Sequence, residues 1–125
     1  MLNDKSAVAN VAVRNLKTAR TFYAETLGLK QVDAEGDEVI VYKSGGSKIN
    51  VYRSDYAGTN KATAVTWVVG DELDEIVRTL KEKGVKFEHY DMPGMQRKGD
   101  VHVAGDMKVA WFKDPDGNIL NVTNH

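Results

Sequence analysis

The chain has 125 residues, of which 42% are hydrophobic and 28% are charged, an ordinary composition for one globular domain. A formal net charge of −1 gives no electrostatic footprint for nucleic acid or an anionic membrane, and the absence of cysteine excludes disulfides and thiolate chemistry. No stretch approaches the roughly 18 apolar residues of a membrane helix, and the N-terminus does not resemble a signal peptide, so we expect a cytoplasmic protein without nucleic-acid or membrane partners.

The first module of predicted elements occupies residues 1–55. Its order is strand, helix, strand and a two-stranded hairpin. The helix has a continuous apolar face, and Asn15 and Gly28 are placed to cap its two ends. The strands are predicted at residues 7–13 and 29–34, and on either side of a turn at 45–46.

A second module, residues 62–125, repeats this order. Apolar residues at i, i+3, i+4 and i+7 predict its helix, which Gly84 ends. Its last hairpin turns at Asp-Pro-Asp-Gly-Asn, a sequence typical of a tight turn. The apolar face consists of Leu73, Ile76, Val77 and Leu80, and the first two strands are predicted at residues 62–69 and 85–90. The chain therefore has the order βαβββ twice.

The alignment of the two modules locates an insertion. Leu16 matches Leu73 at an offset of 57 residues, whereas Asn50 matches Asn121 at an offset of 71. The second module therefore contains about 14 additional residues, which we assign to a loop at residues 91–106, rich in glycine and charge. A loop of this length is either functional or disordered.

Asn50 and Asn121 hold the same place in the two modules. Each lies inside an apolar strand, although asparagine is depleted from strands. Their pseudo-symmetry suggests one shared location. The alternative is that both side chains face solvent on a half-exposed sheet.

These features together resemble one protein family. An apolar strand, Asn15-Leu16, a helix with Phe22-Tyr23 and Leu27-Gly28, and the final "DPDGN" hairpin are similar to the vicinal oxygen chelate superfamily, also called the glyoxalase/bleomycin-resistance/dioxygenase family. The resemblance extends over nearly the whole chain. It implies an α+β fold in which two tandem βαβββ modules form a curved mixed sheet, with helices on the convex side and a binding site on the cupped face.

The resemblance also implies where a metal would be held. Metal-dependent members carry ligands on the first and last strands of each module, which correspond here to Val8, Val65 (or Ala64), Asn50 and Asn121. Valine has no donor atom, and two neutral amides do not replace imidazoles and carboxylates. The histidines, none at these positions, are His89, His102 and His125. We expect no metal and no other cofactor.

Strand alternation predicts the other side chains of the cup. Tyr52 is two residues from Asn50, and Trp111 precedes an aromatic residue that the family packs beneath its helices. Trp67 is two residues from Val65, although a bulge before Asp71 would turn it to the other face. The predicted ligand-binding residues are Asn10, Asn50, Tyr52, Trp67, Trp111 and Asn121. Aromatic walls with a few amides suit a small planar or cationic molecule. The alternative is that both tryptophans are core residues.

The 91–106 loop is a candidate lid over this cup. Met92 and Met95 offer adaptable apolar contacts, and Arg97 and Lys98 offer contacts for an anion. The alternative is a solvated loop tip. His102 or Asp100 would be candidates for acid/base chemistry only if the loop folds over the cup, and sequence does not show this.

Three functions are compatible with these residues. The first is a metal-free small-molecule binding protein similar to the bleomycin-resistance branch, which sequesters a ligand as a homodimer. The second is a lyase, isomerase or dioxygenase of the same superfamily with an altered or absent metal site. The third is a dimeric interaction scaffold. The sequence leaves the catalytic residues, if any, undefined.

Overall fold

The computed structural model describes residues 1–125, and the chain divides into two compact units, Met1–Ala57 (unit 1) and Gly58–His125 (unit 2). Each unit contains one main helix that follows its first strand, with three strands after the helix in unit 1 and five in unit 2, so the predicted α+β class is confirmed. The placement of the helices on a convex side stays a prediction. Neither unit has a helix with the length and apolar character needed to cross a membrane.

Local capping defines the helix of unit 1. The side-chain oxygen of Asn15 accepts hydrogen bonds from the backbone N–H groups of Lys17 and Thr18 at 2.9 and 3.1 Å, as an N-cap does. Gly28 follows the helix with φ +74°, in the left-handed region. The elements are β1 (Ala9–Val13), α1 (Leu16–Arg20), its π-helical continuation (Thr21–Thr26), β2 (Lys30–Glu35), β3 (Val39–Ser44) and β4 (Ser47–Arg53).

The unit 1 sheet has the strand order β1-β4-β3-β2, in which β1 and β4 are parallel and the other pairs are antiparallel. One face is buried, and the ring of Tyr23 lies 6.1 Å from the ring of Tyr42 on this face. The buried sheet residues are Val11, Val13, Ile40, Tyr42, Ile49 and Val51. The opposite face therefore carries the intervening polar residues.

Unit 2 has six strands. Its helix buries one apolar face and ends before Gly84, whose φ is +93°. The elements are β5 (Thr63–Val68), a 3₁₀ turn (Gly70–Glu72), α2 (Leu73–Glu82), β6 (Phe87–Glu88), β7 (Gln96–Lys98), β8 (Val101–Ala104), β9 (Met107–Lys113) and β10 (Ile119–Thr123). The strand order is β5-β10-β9-β8-β7, and β6 also pairs with β9. Only β5 and β10 are parallel.

The prediction of an irregular loop at residues 91–106 is wrong. This stretch contains β7 and β8, which form a hairpin and extend the sheet beyond β9. The strands were missed because β7 is three residues long and polar, and β8 is four residues long. Such short strands lack enough alternation to be distinguished from loop.

Asp114 organises the predicted turn between β9 and β10. It is 4% exposed, and its Oδ1 accepts hydrogen bonds from the backbone N–H groups of Asp116 and Asn118, both at 2.9 Å. Its Oδ2 accepts a hydrogen bond from Asn118 Nδ2 at 2.7 Å. The turn is thus fixed by side chains as well as by backbone, and it sets the register of β10 against β9.

The hydroxyl of Tyr42 in unit 1 generates a stability prediction. This oxygen is buried and has no hydrogen-bond partner, and burial raises the pKa of Tyr42 above its ordinary value, with Arg20 acting in the opposite direction. Because an unpaired buried hydroxyl is costly, Tyr42→Phe should leave the free energy of unfolding unchanged or raise it by about 1 kcal/mol. Urea unfolding followed by circular dichroism measures this.

Tyr42→Ala is the control for this prediction. It removes the ring as well as the hydroxyl, so it should lower the free energy of unfolding by about 3–5 kcal/mol. A loss of more than about 1 kcal/mol in Tyr42→Phe would mean that the hydroxyl makes a stabilising hydrogen bond in solution.

Candidate functional site

The candidate site lies on the face of the unit 2 sheet that carries Asn121. In the strand register, Asn121 pairs with Trp111 of β9 and with Thr66 of β5, so the three side chains share this face. Asn121 is 9% exposed, and its Oδ1 is buried without a hydrogen-bond partner. The alternative in which this asparagine faces solvent is therefore wrong.

The prediction that Trp67 and Val65 lie on the same face as Asn121 is wrong. Trp67 pairs with Val122, and Val65 pairs with Leu120, so both belong to the opposite, apolar face. The register of β5 against β10 shifts between Ile119 and Leu120. Without this irregularity, strict alternation would place Val65 and Trp67 on the Asn121 face. A shift of one residue moves them to the other face, because successive side chains of a strand point to opposite faces.

A split strand brings His102 to the Asn121 face. The chain pairs with the edge of β9 at Glu88, departs for residues 89–100, and returns to the same edge in β8. His102 then pairs with Val109, which is two residues from Trp111. By alternation, His102 and Trp111 share a face, and their ring centroids lie 4.9 Å apart.

His102 is fully enclosed, with an exposed fraction of 1%. Its Nε2 accepts a hydrogen bond from the backbone N–H of Tyr90 at 3.0 Å. Since a backbone N–H only donates, the neutral ring carries its proton on Nδ1. This Nδ1 is buried and has no hydrogen-bond partner, so it is a fixed and unsatisfied donor. Such a group in a native structure calls for an explanation.

The rings of Tyr90 and Trp111 lie beside the His102 ring that carries this donor. Tyr90 meets Trp111 edge-to-face at a centroid distance of 5.3 Å and lies 6.3 Å from His102. The indole N–H of Trp111 donates to the Thr63 hydroxyl at 3.2 Å. The aromatic faces are thereby held in fixed orientations, which is the arrangement that a preformed binding surface requires.

Two cavities adjoin this aromatic cluster, one of about 350 Å³ and one of about 470 Å³. Tyr90 and Met92 line both. The smaller cavity is otherwise lined by Lys61, Ala62, Thr63, Trp111 and Ile119, and the larger by Asp91, Pro93, Met95, Arg97 and His102. Their volumes suit a small organic molecule.

An ion-pair cluster connects the two ends of the 89–100 segment. Asp100 accepts hydrogen bonds from Lys81 Nζ at 2.7 Å and from His89 Nε2 at 2.8 Å, and the exposed fraction of its side chain is 16%. The Lys81 and His89 hydrogen bonds lower the pKa of Asp100 below its ordinary value. Lys81 belongs to α2, so this cluster ties both ends of the segment to the helix.

In unit 1, the predicted polar residues also share one face. Asn10 pairs with Asn50 and Ala12 pairs with Tyr52 across the parallel β1–β4 ladder. Asn50 Nδ2 donates to Asn10 Oδ1 at 3.3 Å, and Asn10 Nδ2 donates to the backbone oxygen of Val8 at 3.4 Å. Asn50 and Tyr52 are half-buried, and Asn10 is exposed. That Asn50 and Asn121 serve one location stays a prediction.

Sequence reasoning missed several residues of the unit 2 cluster. It named His102 only as a conditional candidate and did not single out Tyr90 or Thr63. The alternation in Val101-His102-Val103 was the available signal for β8, but four residues are too few to separate a strand from a loop.

The sequence model of the Glyoxalase/Bleomycin resistance protein/Dioxygenase superfamily matches residues 5–122. The chain belongs to this family. Its structure is similar to an integron cassette protein from the mobile metagenome of a Halifax Harbour sewage outfall, with a TM-score of 0.73 and 19% identity over 98% of this chain and 99% of that chain.

Two named members of the superfamily have the same fold. Lactoylglutathione lyase from Agrobacterium tumefaciens matches with a TM-score of 0.71 and 16% identity over 96% of this chain and 92% of that chain. A fosfomycin resistance protein from Listeria monocytogenes matches with a TM-score of 0.70 and 16% identity over 98% of this chain and 91% of that chain. At these identities the similarity concerns the fold alone.

The residues of this chain do not fit the metal site of the metal-dependent superfamily members. The positions that the resemblance predicts for the ligands hold Val8, Val65 or Ala64, Asn50 and Asn121, which provide neither imidazole nor carboxylate, and Val65 lies on the face opposite Asn121. Within either unit, no three histidine, aspartate or glutamate side chains are grouped as a metal ion would require.

Asp100 generates a prediction with a defined pH dependence. Its carboxylate accepts charge-assisted hydrogen bonds, so Asp100→Asn should lower the free energy of unfolding by about 1 kcal/mol at pH 7. A lowered pKa means that this stabilisation is present above the unfolded-state pKa, about 3.9, and is lost as pH falls through the folded-state pKa. Urea unfolding at pH 7 and near pH 2 should show the difference between the two proteins vanish at the lower pH.

Asp74→Asn is the matched control. Asp74 pairs with Lys108 at 3.1 Å, but its side chain is 69% exposed, so its loss should cost less than about 0.5 kcal/mol. An equal effect of Asp100→Asn at both pH values would contradict a role for the charged carboxylate.

Proposed function

We propose that this protein binds a small organic molecule on the Asn121 face of unit 2, and that it does so without a metal ion. The observation that carries the proposal is the aromatic cluster of Tyr90, His102 and Trp111 beside two cavities. An apolar wall with a few fixed polar groups is the usual composition of a small-molecule site.

Trp111 and Tyr90 would supply a substantial part of the binding energy. Both are half-buried, so a planar ligand has aromatic surface left to cover. Covering about 100 Å² of apolar surface contributes about 2.5 kcal/mol, which is a large part of the free energy of a micromolar complex. The edge-to-face contact of the two rings keeps this surface ordered before the ligand arrives, which lowers the entropic cost of binding.

Polar groups would orient the ligand. The unsatisfied Nδ1 of His102 is a donor and the unsatisfied Oδ1 of Asn121 is an acceptor. In unit 1, Asn10, Asn50 and Tyr52 form a polar group on one face of that sheet, and they are proposed as a ligand-contacting surface of unit 1 in its own right.

The alternative functions have less support. An enzyme of this superfamily with a metal would need imidazole or carboxylate ligands at positions where the chain has valine, alanine and asparagine. Binding and sequestration require only the cluster and the cavities. A homodimer located in the cytoplasm, as expected from the sequence, remains part of this proposal.

The two tryptophans of the chain provide the test. Trp67 and Trp111 lie on opposite faces, and each gives one indole N–H signal in a proton–nitrogen correlation spectrum, assigned with Trp67→Phe and Trp111→Phe. Titration with 2-naphthamide, 2-naphthoate and 2-naphthylmethylammonium should shift the Trp111 signal and leave the Trp67 signal in place.

Trp111→Phe should weaken binding of the responding compound by about tenfold, because phenylalanine covers less of the ligand. Trp67→Phe is the control and should leave the affinity unchanged. If no compound shifts the Trp111 signal at millimolar concentration, or if both indole signals move equally, the proposed site is wrong.

A further inference from the structure

The two cavities beside the aromatic cluster differ in chemical character. The smaller one presents Trp111, Ile119 and Ala62, which form an apolar wall, and Lys61 and Thr63 also line it. The larger one presents Arg97, Asp91 and His102, which are polar or charged. We infer that these cavities bind the two ends of one amphipathic molecule, whose apolar ring lies against Trp111 and whose head group presents an acceptor oxygen to His102 and Arg97. This inference rests on the function proposed above.

The partition between the cavities consists of side chains that can move. Tyr90 and Met92 line both cavities, and Met92 is 41% exposed. Methionine is unbranched and changes rotamer at low cost, so a ligand of sufficient length can displace it. A molecule that reaches from the Trp111 wall to Arg97 therefore occupies both cavities at once, whereas a short ligand occupies only one of them.

The head group is identified by the available hydrogen-bond donors. His102 Nδ1 carries a buried proton without a partner, because Nε2 is occupied by the Tyr90 backbone N–H. Arg97 uses Nη1 to donate to the backbone oxygen of Gly99 at 2.8 Å, and its guanidinium has further N–H groups. These donors match a carboxylate or carbonyl oxygen and do not match an ammonium group.

Asp91 limits the charge of the ligand. Its carboxylate lines the same cavity as the Arg97 guanidinium, so the negative and positive charges of these two side chains cancel. A neutral or singly charged head group fits this balance, whereas a dianion would be repelled by Asp91. The ligand class is therefore an aryl or alkyl compound with one carboxylate or amide group.

The test uses three probes that differ in one property each. They are 4-phenylbutyrate, benzoate, which has the same carboxylate on a shorter chain, and 4-phenylbutylammonium, which has the same ring and a cationic head. Affinity is measured by calorimetry and by the Trp111 indole signal. We expect 4-phenylbutyrate to bind at least about tenfold more tightly than either of the other two.

Exposed residues provide variants that should not disturb folding. Arg97→Gln should lower the affinity for 4-phenylbutyrate by about fivefold, because it removes a positive charge near the head group. Asp91→Asn should raise this affinity by about twofold, because it removes a negative charge there.

Met92→Trp tests the partition. The larger side chain should obstruct a molecule that spans both cavities, and the affinity for 4-phenylbutyrate should fall by at least about tenfold. Met107→Trp is the matched control, since Met107 is 40% exposed and lines neither cavity, and it should leave the affinity unchanged.

The outcomes separate this inference from the proposed function. If all three probes shift the Trp111 signal with equal affinity, or if Met92→Trp and Arg97→Gln have no effect, the site binds small molecules but the spanning amphipathic ligand is wrong. If none of these probes moves the Trp111 signal while the naphthyl compounds do, the inference alone is overturned. If no probe of either set moves that signal, both are overturned.

Discussion

The pairing of β9 with its neighbours is the constraint on which the unit 2 site depends. β9 is antiparallel to β10 on one side and to both β6 and β8 on the other. This register alone places Trp111 beside Asn121 and His102 beside Val109, on one face. The Asp114 turn fixes the first of these pairings, because a one-residue slip would turn Asn121 to the apolar face.

Much of the fold follows from local sequence signals. Asn15, Gly28 and Gly84 mark helix ends because they satisfy end groups or adopt a left-handed backbone, and these requirements act over a few residues. The repeated module order and the Asp-Pro-Asp-Gly-Asn turn are local in the same sense. Alternation also gave the face shared by Asn10 and Asn50, because β1 and β4 pair without irregularity.

The site was less predictable because it depends on two departures from regularity. The register shift at Ile119–Leu120 places Trp67 on the apolar face, and no residue type in the sequence predicts such a shift. The return of the chain to β9 placed His102 in the sheet, and β8 is too short for its alternation to be decisive. Both depend on contacts between distant parts of the chain, so the spacing of residues along one strand does not predict them.

The split between β6 and β8 has a consequence for how this scaffold can diversify. Because residues 89–100 leave and rejoin the same edge of β9, their number and composition can change without altering the strand pairings of β9, and only the pairing of β7 with β8 depends on them. This segment contributes Tyr90, Asp91 and Met92 to the cavities, while the sheet contributes Trp111 and His102. Exchanging the 89–100 segment would therefore alter part of the cavity lining, while the β9 pairings would keep Trp111 and His102 in place.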